Sequence, residues 1–324
     1  MKPLTLKLIS FISLFIWSTA VFTQDDPDTE PQDNPETELQ TKDKDSSYFS
    51  LSLGFINDAV FLGRKDSVSA PYLYPSIMYY NKSGLYASSS FSYLTKSSSS
   101  RIDLFLGTIG YNFTKKKFEG DVSFTKYFFN DDSYNVISEV EADITAMFSY
   151  DFNIINLTVS GITFFNSNSD ADIIISSEIS HDFITKNQRF QISPTAGIYL
   201  GSQNFYEEYY INTYFEGGNG SGSGNGSGSG NGSGSGSRSG QGTGQGNGTV
   251  IQTTTLKLNE NEKFGLMAFE FSLPIWYVNK PVAITFSPVW AIPQNPATLT
   301  TNDTIYQEDL KSTFYCLIGA SYMF

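Results

Sequence analysis

Apolar and polar residues alternate along much of the chain, in segments of roughly ten residues that turn-forming residues separate. In residues 144–152 the even positions are apolar, and Thr145, Ser149 and Asp151 lie between them. Alternation with a period of two is typical of β-strands that have one apolar face. We therefore predict strands at residues 47–57, 72–81, 85–95, 102–113, 118–129, 137–152, 154–166, 173–184, 190–203, 263–278, 282–291 and 313–324.

The connections between these segments differ in length according to their position. Short turns follow the even-numbered segments, at 81–84, 114–117, 151–153, 185–189 and 279–281. Longer connections tend to follow the odd-numbered segments, and the longest are 58–71, 204–262 and 293–312. In an antiparallel sheet this parity collects the short turns at one end and the long loops at the other, which is typical of transmembrane β-barrels.

The last predicted strand has one apolar face that ends in an aromatic residue. The positions of this face are Phe314, Cys316, Ile318, Ala320, Tyr322 and Phe324. In this feature the sequence resembles the outer-membrane β-barrel proteins of Gram-negative bacteria. Its Gly/Ser-rich segment and the sequences 273–276 and 287–290 resemble Bacteroidota-type barrels of unassigned role. The resemblance implies a place in the cell outer membrane and recognition of Tyr322 and Phe324 by the barrel-assembly machinery.

The predicted fold class is all-β, a single closed antiparallel transmembrane β-barrel of about 12 strands. In hydrocarbon every backbone polar group must be paired, so strands can span a membrane only as a closed barrel. Aromatic residues make up 15% of the chain and charged residues 16%, which suits a lipid-facing wall with aromatic girdles. The alternative is a secreted soluble β-protein with these aromatics in its core. Candidate girdle residues are Tyr72, Tyr74, Tyr79, Tyr80, Tyr127, Phe128, Phe129, Tyr150, Phe152, Trp276, Tyr277, Trp290 and Tyr322.

The chain outside the strands divides into segments of distinct composition. Residues 1–20 have a basic start, an apolar run and small residues at a cleavage site, which predicts a signal peptide rather than a membrane anchor. Residues 21–45 carry nine acidic residues and two lysines, and we expect a disordered acidic tail in the periplasm. This tail is either a soluble spacer or a binding arm for a basic partner. Residues 46–324 form the predicted barrel, with a Gly/Ser-rich extracellular loop at 217–248.

The charge and the scarcity of His and Cys exclude several kinds of site. The net charge of −13 argues against nucleic acid as a partner. One His and one Cys exclude a Cys/His zinc site and an internal disulfide, and we expect neither a metal nor another cofactor. Outer-membrane phospholipases, which are also twelve-stranded, need a Ser two residues after their His. The residue two after His181 is Phe183, so we expect no enzyme and no catalytic residue.

Acidic residues fall between apolar ones in several of the predicted strands. By the parity of the strands they point inward, and they are Glu119, Asp121, Glu139, Glu141, Asp143, Glu178, Asp182 and Glu270. One hypothesis is a water-filled lumen that favours cations, because carboxylate rings attract cations. The other is that the carboxylates pair with inward basic groups and seal a plug.

Function therefore falls into three classes. The first is a passive, porin-like channel for small solutes with a weak cation preference. The second is a surface-exposed structural or adhesive barrel with a closed lumen, and the third and most distant is an outer-membrane hydrolase. Besides the assembly machinery, the expected partners are outer-membrane lipid and small solutes. Ser67 and Thr304 lie in short Asp-Ser/Thr-apolar motifs, which makes them candidate O-glycan sites.

Overall fold

The computed structural model describes residues 46–65, 69–96, 100–131, 133–167, 170–202, 204, 264–296 and 305–324, with short strands at 5–8, 19–22, 257–258 and 298–300. Within these residues no helix is long and apolar enough to cross a membrane. The Gly/Ser-rich loop at 217–248 and tail residues 23–45 lie outside the described residues. The predicted signal peptide is described only at its two short strands, which pair with each other.

The described chain is almost entirely β-structure. In chain order the strands are β1 (Thr5–Leu8), β2 (Thr19–Phe22), β3 (Tyr48–Ile56), β4 (Tyr72–Tyr80), β5 (Leu85–Leu94), β6 (Arg101–Lys115), β7 (Phe118–Phe129), β8 (Val140–Asp151), β9 (Asn156–Asn166), β10 (Asp172–Ser180), β11 (Phe183–Ile184), β12 (Phe190–Ile192), β13 (Thr195–Gly201), β14 (Lys257–Leu258), β15 (Gly265–Ser272), β16 (Ile275–Asn279), β17 (Val282–Pro293), β18 (Thr298–Thr300), β19 (Ile305–Gln307) and β20 (Thr313–Met323). Strands β14, β18 and β19 form a small separate sheet.

Twelve of these strands close into a barrel, which confirms the predicted fold class. Each strand pairs antiparallel with its neighbour, in the order β3, β4, β5, β6, β7, β8, β9, β10, β13, β15, β17, β20. The ring closes because β20 pairs both with β17 and with β3. A closed ladder leaves no sheet edge unpaired, which is the condition for strands to lie in hydrocarbon.

Three neighbouring barrel strands are interrupted at the same level. Strands β10, β13 and β15 continue as β11, β12 and β16 beyond breaks at 181–182, 193–194 and 273–274. Two of the breaks contain a proline, Pro194 and Pro274, which has no N–H to give to the ladder. The register is unchanged across the breaks, since Ser180 pairs with Thr195 and Phe183 with Ile192. Each interrupted pair therefore remains one barrel strand, as the sequence predicted.

The five short turns lie at one end of the barrel, here called the short-turn end, and the long connections lie at the other, the long-loop end. Both ends of the barrel sheet lie at the short-turn end. The N–H of Met323 donates to the carbonyl of Pro281 over 3.0 Å, next to the turn between β16 and β17. Tyr48, the first residue of β3, pairs with Tyr80, the last residue of β4.

Side chains alternate between the outer and inner faces of the barrel wall. The outer face is apolar and exposed, and its members include Phe49, Leu51, Ile77, Phe105, Ile109, Phe124, Phe148, Val159, Ile175, Phe271, Phe286 and Ile318. The inner face is rich in hydroxyl, carboxyl and tyrosine groups. Six candidate girdle aromatics belong to this inner face, contrary to expectation: Tyr72, Tyr74, Tyr127 and Trp276 are buried, and Tyr80 and Phe129 share the inward parity of their strands. Their parity on the strands points them into the barrel.

We predict that a charge on the outer face destabilises the barrel according to its depth. Ile109 lies in the middle of β6 and is 63% exposed, so Ile109→Arg puts a guanidinium into hydrocarbon at a cost of about 2–4 kcal/mol. Leu85 is exposed on the same face at the short-turn end, where Leu85→Arg costs about 0–1 kcal/mol. Urea unfolding in lipid vesicles measures both free energies. Equal costs would show that the apolar face is not in contact with hydrocarbon.

Candidate functional site

The long-loop end of the barrel is closed by a loop that folds inward. Residues 58–65, the plug loop, connect toward β4 after the end of β3, and Ala59, Val60, Phe61 and Leu62 are buried. Strand β9 is six strands from β3 in the ring of twelve and so lies opposite it. The ring of Phe61 packs edge-on against Phe164 of β9, with 5.8 Å between the ring centroids. The plug loop therefore crosses the mouth of the barrel.

A buried arginine anchors the plug loop to the wall beyond β17. The side chain of Arg64 is 1% exposed, and its Nε lies 3.3 Å from Oε1 of Glu308. Its Nη2 donates to the backbone carbonyls of Gln294 and Asn295, each over 2.9 Å. A buried guanidinium is costly unless it is paired and hydrogen-bonded, so these contacts make the closed position of the loop specific.

The tip of the plug loop fits tightly against the same wall. Gly63 has φ of +77°, and a Cβ added there would lie 2.6 Å from Cδ of Pro293. The hydroxyl of Thr313 donates to the carbonyl of Gly63 over 3.1 Å. At this position only glycine combines the left-handed backbone with so close an approach.

A second segment from the long-loop end adds to the closure. Val136 and Ile137, between β7 and β8, are buried and share one apolar cluster with the plug loop. Tyr134 packs against this cluster, and the guanidinium of Arg101 lies 4.9 Å from the centroid of its ring. The two segments together place a continuous cluster of buried apolar side chains in the mouth.

Beneath the plug loop, buried carboxylates bind tyrosine hydroxyls. The hydroxyl of Tyr127 donates to Oδ2 of Asp143 over 2.7 Å, and Thr145 donates to Oδ1 over 2.8 Å. Asp121 accepts from Tyr86, Glu178 from Tyr199 and Asp103 from Tyr72. The sequence hypothesis of a sealed plug required inward basic partners for the carboxylates. For Asp121, Asp143 and Glu178 the hydroxyl of a tyrosine takes that place, whereas Asp103 also pairs with Nε of Arg101 over 3.0 Å.

Two of the predicted carboxylates lie on one cross-strand row. Gly197 of β13 pairs with Glu178 on one side and with Glu270 on the other. Because Gly197 has no side chain, both carboxylates can lean over it, and a Cβ there would lie 3.2 Å from Cγ of Glu178. Tyr199 donates to Oε1 of Glu178 over 2.5 Å beside them. In this row the structure brings two of the predicted site carboxylates to the same level of the barrel.

Glu139 and Glu141 do not join Asp143 on one inward stripe, contrary to the sequence expectation. The register between β8 and β9 shifts between Val140 and Ala142, which is a β-bulge. A bulge inserts one extra residue and reverses the parity that follows. Glu141 is 54% exposed and pairs with Lys126 on the outside over 2.9 Å. Glu139 precedes the strand altogether.

The two remaining acidic candidates lie toward the short-turn end. Glu119 is buried one residue after the start of β7. Asp182 lies in the break between β10 and β11, where Nδ2 of Asn156 donates to its Oδ2 over 2.9 Å and the hydroxyl of Ser193 donates to its Oδ1. The acidic candidates are therefore spread over several levels of the barrel rather than gathered in one ring.

One inner wall carries hydroxyl groups that have no protein partner. The buried Oγ atoms of Ser50, Ser88, Ser90 and Ser92 and Oδ1 of Asn112 find no hydrogen bond among the described residues. An unsatisfied buried polar group costs about 1–3 kcal/mol, so such groups are normally satisfied by water. Small residues line a cavity of about 10 Å³ nearby, between β3, β4, β17 and β20. We infer that the interior beneath the plug loop is narrow and hydrated.

The other predicted residues have less bearing on the interior. Tyr322 and Phe324 are exposed on the outer face, with 4.9 Å between their ring centroids. His181 packs against Phe183 and contacts the carbonyl of Ile154 at the short-turn end. Ser67 and Thr304 lie outside the described residues. In the described part of the chain, no group of three His, Cys, Asp or Glu side chains could hold a metal ion.

Sequence reasoning missed the plug loop and its anchor. Its signal was present, because the apolar run 59–62 lies inside a loop that is otherwise polar. Such a run is out of place in a solvated loop and indicates a segment that folds into the protein. Nothing in the local sequence of Glu308 identified it as the partner of Arg64.

Comparisons with known proteins find solved barrel structures of low similarity to this chain. No protein-family profile matches the chain, and no curated protein matches it in sequence. A solved structure of the NanC porin covers 85% of this chain and 98% of its own, with a TM-score of 0.43 and 11% identity. The match to the KdgM porin covers 84% of this chain and 98% of the porin, with a TM-score of 0.42 and 8% identity. The match to LpxR from Salmonella typhimurium covers 84% of this chain and 99% of LpxR, with a TM-score of 0.40 and 9% identity. At these values the likenesses carry no argument about function.

We predict that the hydrogen bond between Tyr127 and Asp143 stabilises the barrel measurably. In a double-mutant cycle of Tyr127→Phe and Asp143→Asn, the coupling energy should be about 1–2 kcal/mol, because the bond is buried and one partner is a carboxyl group. The matched control is Tyr150→Phe with Asp143→Asn, since Tyr150 is exposed on the outer face of the same strand. Urea unfolding of each variant in lipid gives the energies. A coupling no larger than the control value would rule out the assigned bond.

Proposed function

We propose that this chain is a porin-like barrel of the outer membrane that conducts small solutes only when the plug loop leaves the mouth. The observation that carries the proposal is an interior with buried carboxylates and unpartnered hydroxyl groups, covered at its mouth by the plug loop and by residues 134–137. A barrel whose only role is structural gains nothing from polar groups that lack protein partners, since an apolar interior would be more stable. A water-filled conduit requires such groups.

The arrangement of charge supports a preference for cations in the open state. Asp121, Asp143, Glu178 and Glu270 point into the barrel, while the buried cation of the plug loop, Arg64, would leave with it. A wall of carboxylates raises the local concentration of cations and disfavours anions. The narrow interior limits the solutes to small ones.

The second candidate function is a closed barrel that presents its long loops for structural or adhesive contacts. The plug loop itself favours this function, because the described mouth is filled by apolar side chains. Neither candidate function includes catalysis. His181 lies at the short-turn end, and Phe183 occupies the position where a nucleophilic serine would be needed.

Loss of the Arg64 anchor should open the channel. Removing one partner of a buried ion pair destabilises the state in which the pair forms by about 3–5 kcal/mol. The pair of Arg64 and Glu308 forms in the closed state, so Arg64→Gln should raise the open fraction at least about a hundredfold. Single-channel recording in a planar bilayer measures this fraction, and the unchanged protein should be almost silent.

The control for this experiment is the neighbouring cation of the plug loop. Lys65 pairs with Asp58, but its side chain is 42% exposed. Lys65→Gln should therefore change the free energy of the closed state, relative to the open state, by only about 0–1 kcal/mol. If Arg64→Gln gives a folded barrel as silent as the control, the gated channel is refuted and the closed structural barrel is favoured.

The carboxylate row should set the ion selectivity. In the Arg64→Gln background, Glu178→Gln with Glu270→Gln should lower the potassium-to-chloride permeability ratio by about half or more, because two negative charges leave the inner wall. Reversal potentials across a salt gradient give the ratio. Glu141→Gln is the matched control, since Glu141 is exposed on the outer face. An equal ratio in all three proteins would contradict a role for the inner carboxylates.

A further inference from the structure

The short-turn end of the barrel is strongly basic. Its turns and their margins carry seven cationic residues, here called the basic rim: Lys82, Lys115, Lys116, Lys117, Lys186, Arg189 and Lys280. All but Lys117 are exposed, and Lys117 donates to Oδ1 of Asn153 over 2.6 Å. Acidic residues near these turns are Asp151 at the end of β8, Glu119 near the start of β7, and Asp182. The basic rim belongs to a chain whose net charge is −13, so this concentration of positive charge is local.

The acidic tail joins the barrel at this same end. Tyr48 begins β3 beside the turn that contains Lys82, and the N–H of Lys82 donates to the hydroxyl of Ser47 over 3.1 Å. Strand β20 separates β3 from β17, which follows the turn with Lys280. Residues 46–48 therefore lie between two cationic turns. Residues 21–45 have a net charge of −7.

The tail is long enough to reach the whole basic rim. At about 3.3 Å per residue, residues 23–45 can span up to about 75 Å when extended. A barrel of twelve strands that are about 4.8 Å apart and tilted by about 40° is about 24 Å across. The far turns, with Lys115 and Lys186, therefore lie within reach. Covalent attachment also gives the tail a high effective concentration at the rim.

The interior of the barrel offers the tail no comparable site. The first inward groups beyond the turns include Glu119 and Asp121, and more carboxylates follow at Glu178 and Glu270. Like charges repel, so the carboxylates of the interior disfavour an acidic segment that the rim attracts.

We propose that residues 25–45 bind the basic rim of their own barrel, across its short-turn end. The contacts are exposed ion pairs between the carboxylates of the tail and the rim cations, each weak and together dependent on ionic strength. This interaction neutralises the positive charge of the rim. It is independent of the proposed channel, because a closed structural barrel would bind its tail in the same way.

A distance measurement within the native protein tests this proposal. Spin labels are placed at Gln32→Cys in the tail and Thr114→Cys, an exposed position beside Lys115, after Cys316→Ser removes the single native cysteine. The protein is purified from the membrane and reconstituted in nanodiscs of neutral lipid. At about 0.02 M salt we expect a narrow population of short distances, and at about 1 M salt that population should fall by about half or more.

Matched variants separate rim binding from general salt effects. Lys82→Gln, Lys115→Gln, Lys116→Gln and Lys186→Gln together should abolish the short population at low salt. Lys96→Gln with Lys311→Gln, at the long-loop end, should leave it unchanged. A distance distribution that ignores both salt and the rim substitutions would overturn the proposal. So would a rim that binds anionic lipid instead, which would appear as loss of the short population in nanodiscs of anionic lipid at low salt.

Discussion

The pairing of β20 with both β17 and β3 is the contact on which the rest of the barrel depends. It joins the last barrel strand to the first and leaves no edge. Without it, the N–H and C=O groups of two strands would face hydrocarbon unpaired, at a cost of several kcal/mol each. The outer side chains of β20, such as Ile318 and Tyr322, contribute lipid contact, but the backbone ladder makes the closure. The closure also fixes the number of strands, and this number sets the space inside.

A ring of twelve strands leaves an interior too wide for small side chains to fill and too narrow for a broad pore. The interior is occupied differently at two levels along the barrel axis. Toward the long-loop end, Phe61 and Leu62 of the plug loop enter and make an apolar seal with Phe164. Beneath the seal, tyrosines donate to carboxylates on adjacent or next-but-one strands, and several buried serine hydroxyls have no partner among the described residues. In the seal, the plug loop packs against apolar inward residues of the wall, such as Leu104, Ile162 and Ile174. The position of the loop in turn depends on the ion pair of Arg64 with Glu308.

Most of the fold could be predicted from the alternation of apolar and polar residues, because this alternation is a local signal and is strong in a wall with lipid on one side. The segment 118–129 matches β7 residue for residue, and the interrupted strands were predicted whole. The bulge at Val140 and Ala142 escaped prediction, because one extra residue reverses parity without a mark in the composition. The partners of Arg64 escaped for another reason: Glu308 lies far away in sequence, and only the closed ring brings it near. Tyr72, Tyr74 and Tyr127 were assigned to the outside, since an aromatic residue suits either face and only its partner decides.

Charged residues of one sign are concentrated in different regions of this protein, and this distribution affects how the plug loop is held. The outer wall is nearly neutral, the interior is acidic, the short-turn end is basic, and the tail is acidic again. Arg64 is the exception, a buried cation at the mouth of an acidic interior. Its attraction to the carboxylates below acts in the same direction as its pairing with Glu308, so both hold the plug loop in the mouth. Because buried charges are screened little by salt, this seal should persist at ionic strengths that weaken contacts among exposed charges. Electrostatic attraction therefore acts at both ends of the barrel. At the mouth the charges are buried and their attraction persists in salt, whereas at the turns the charges are exposed and their attraction depends on ionic strength.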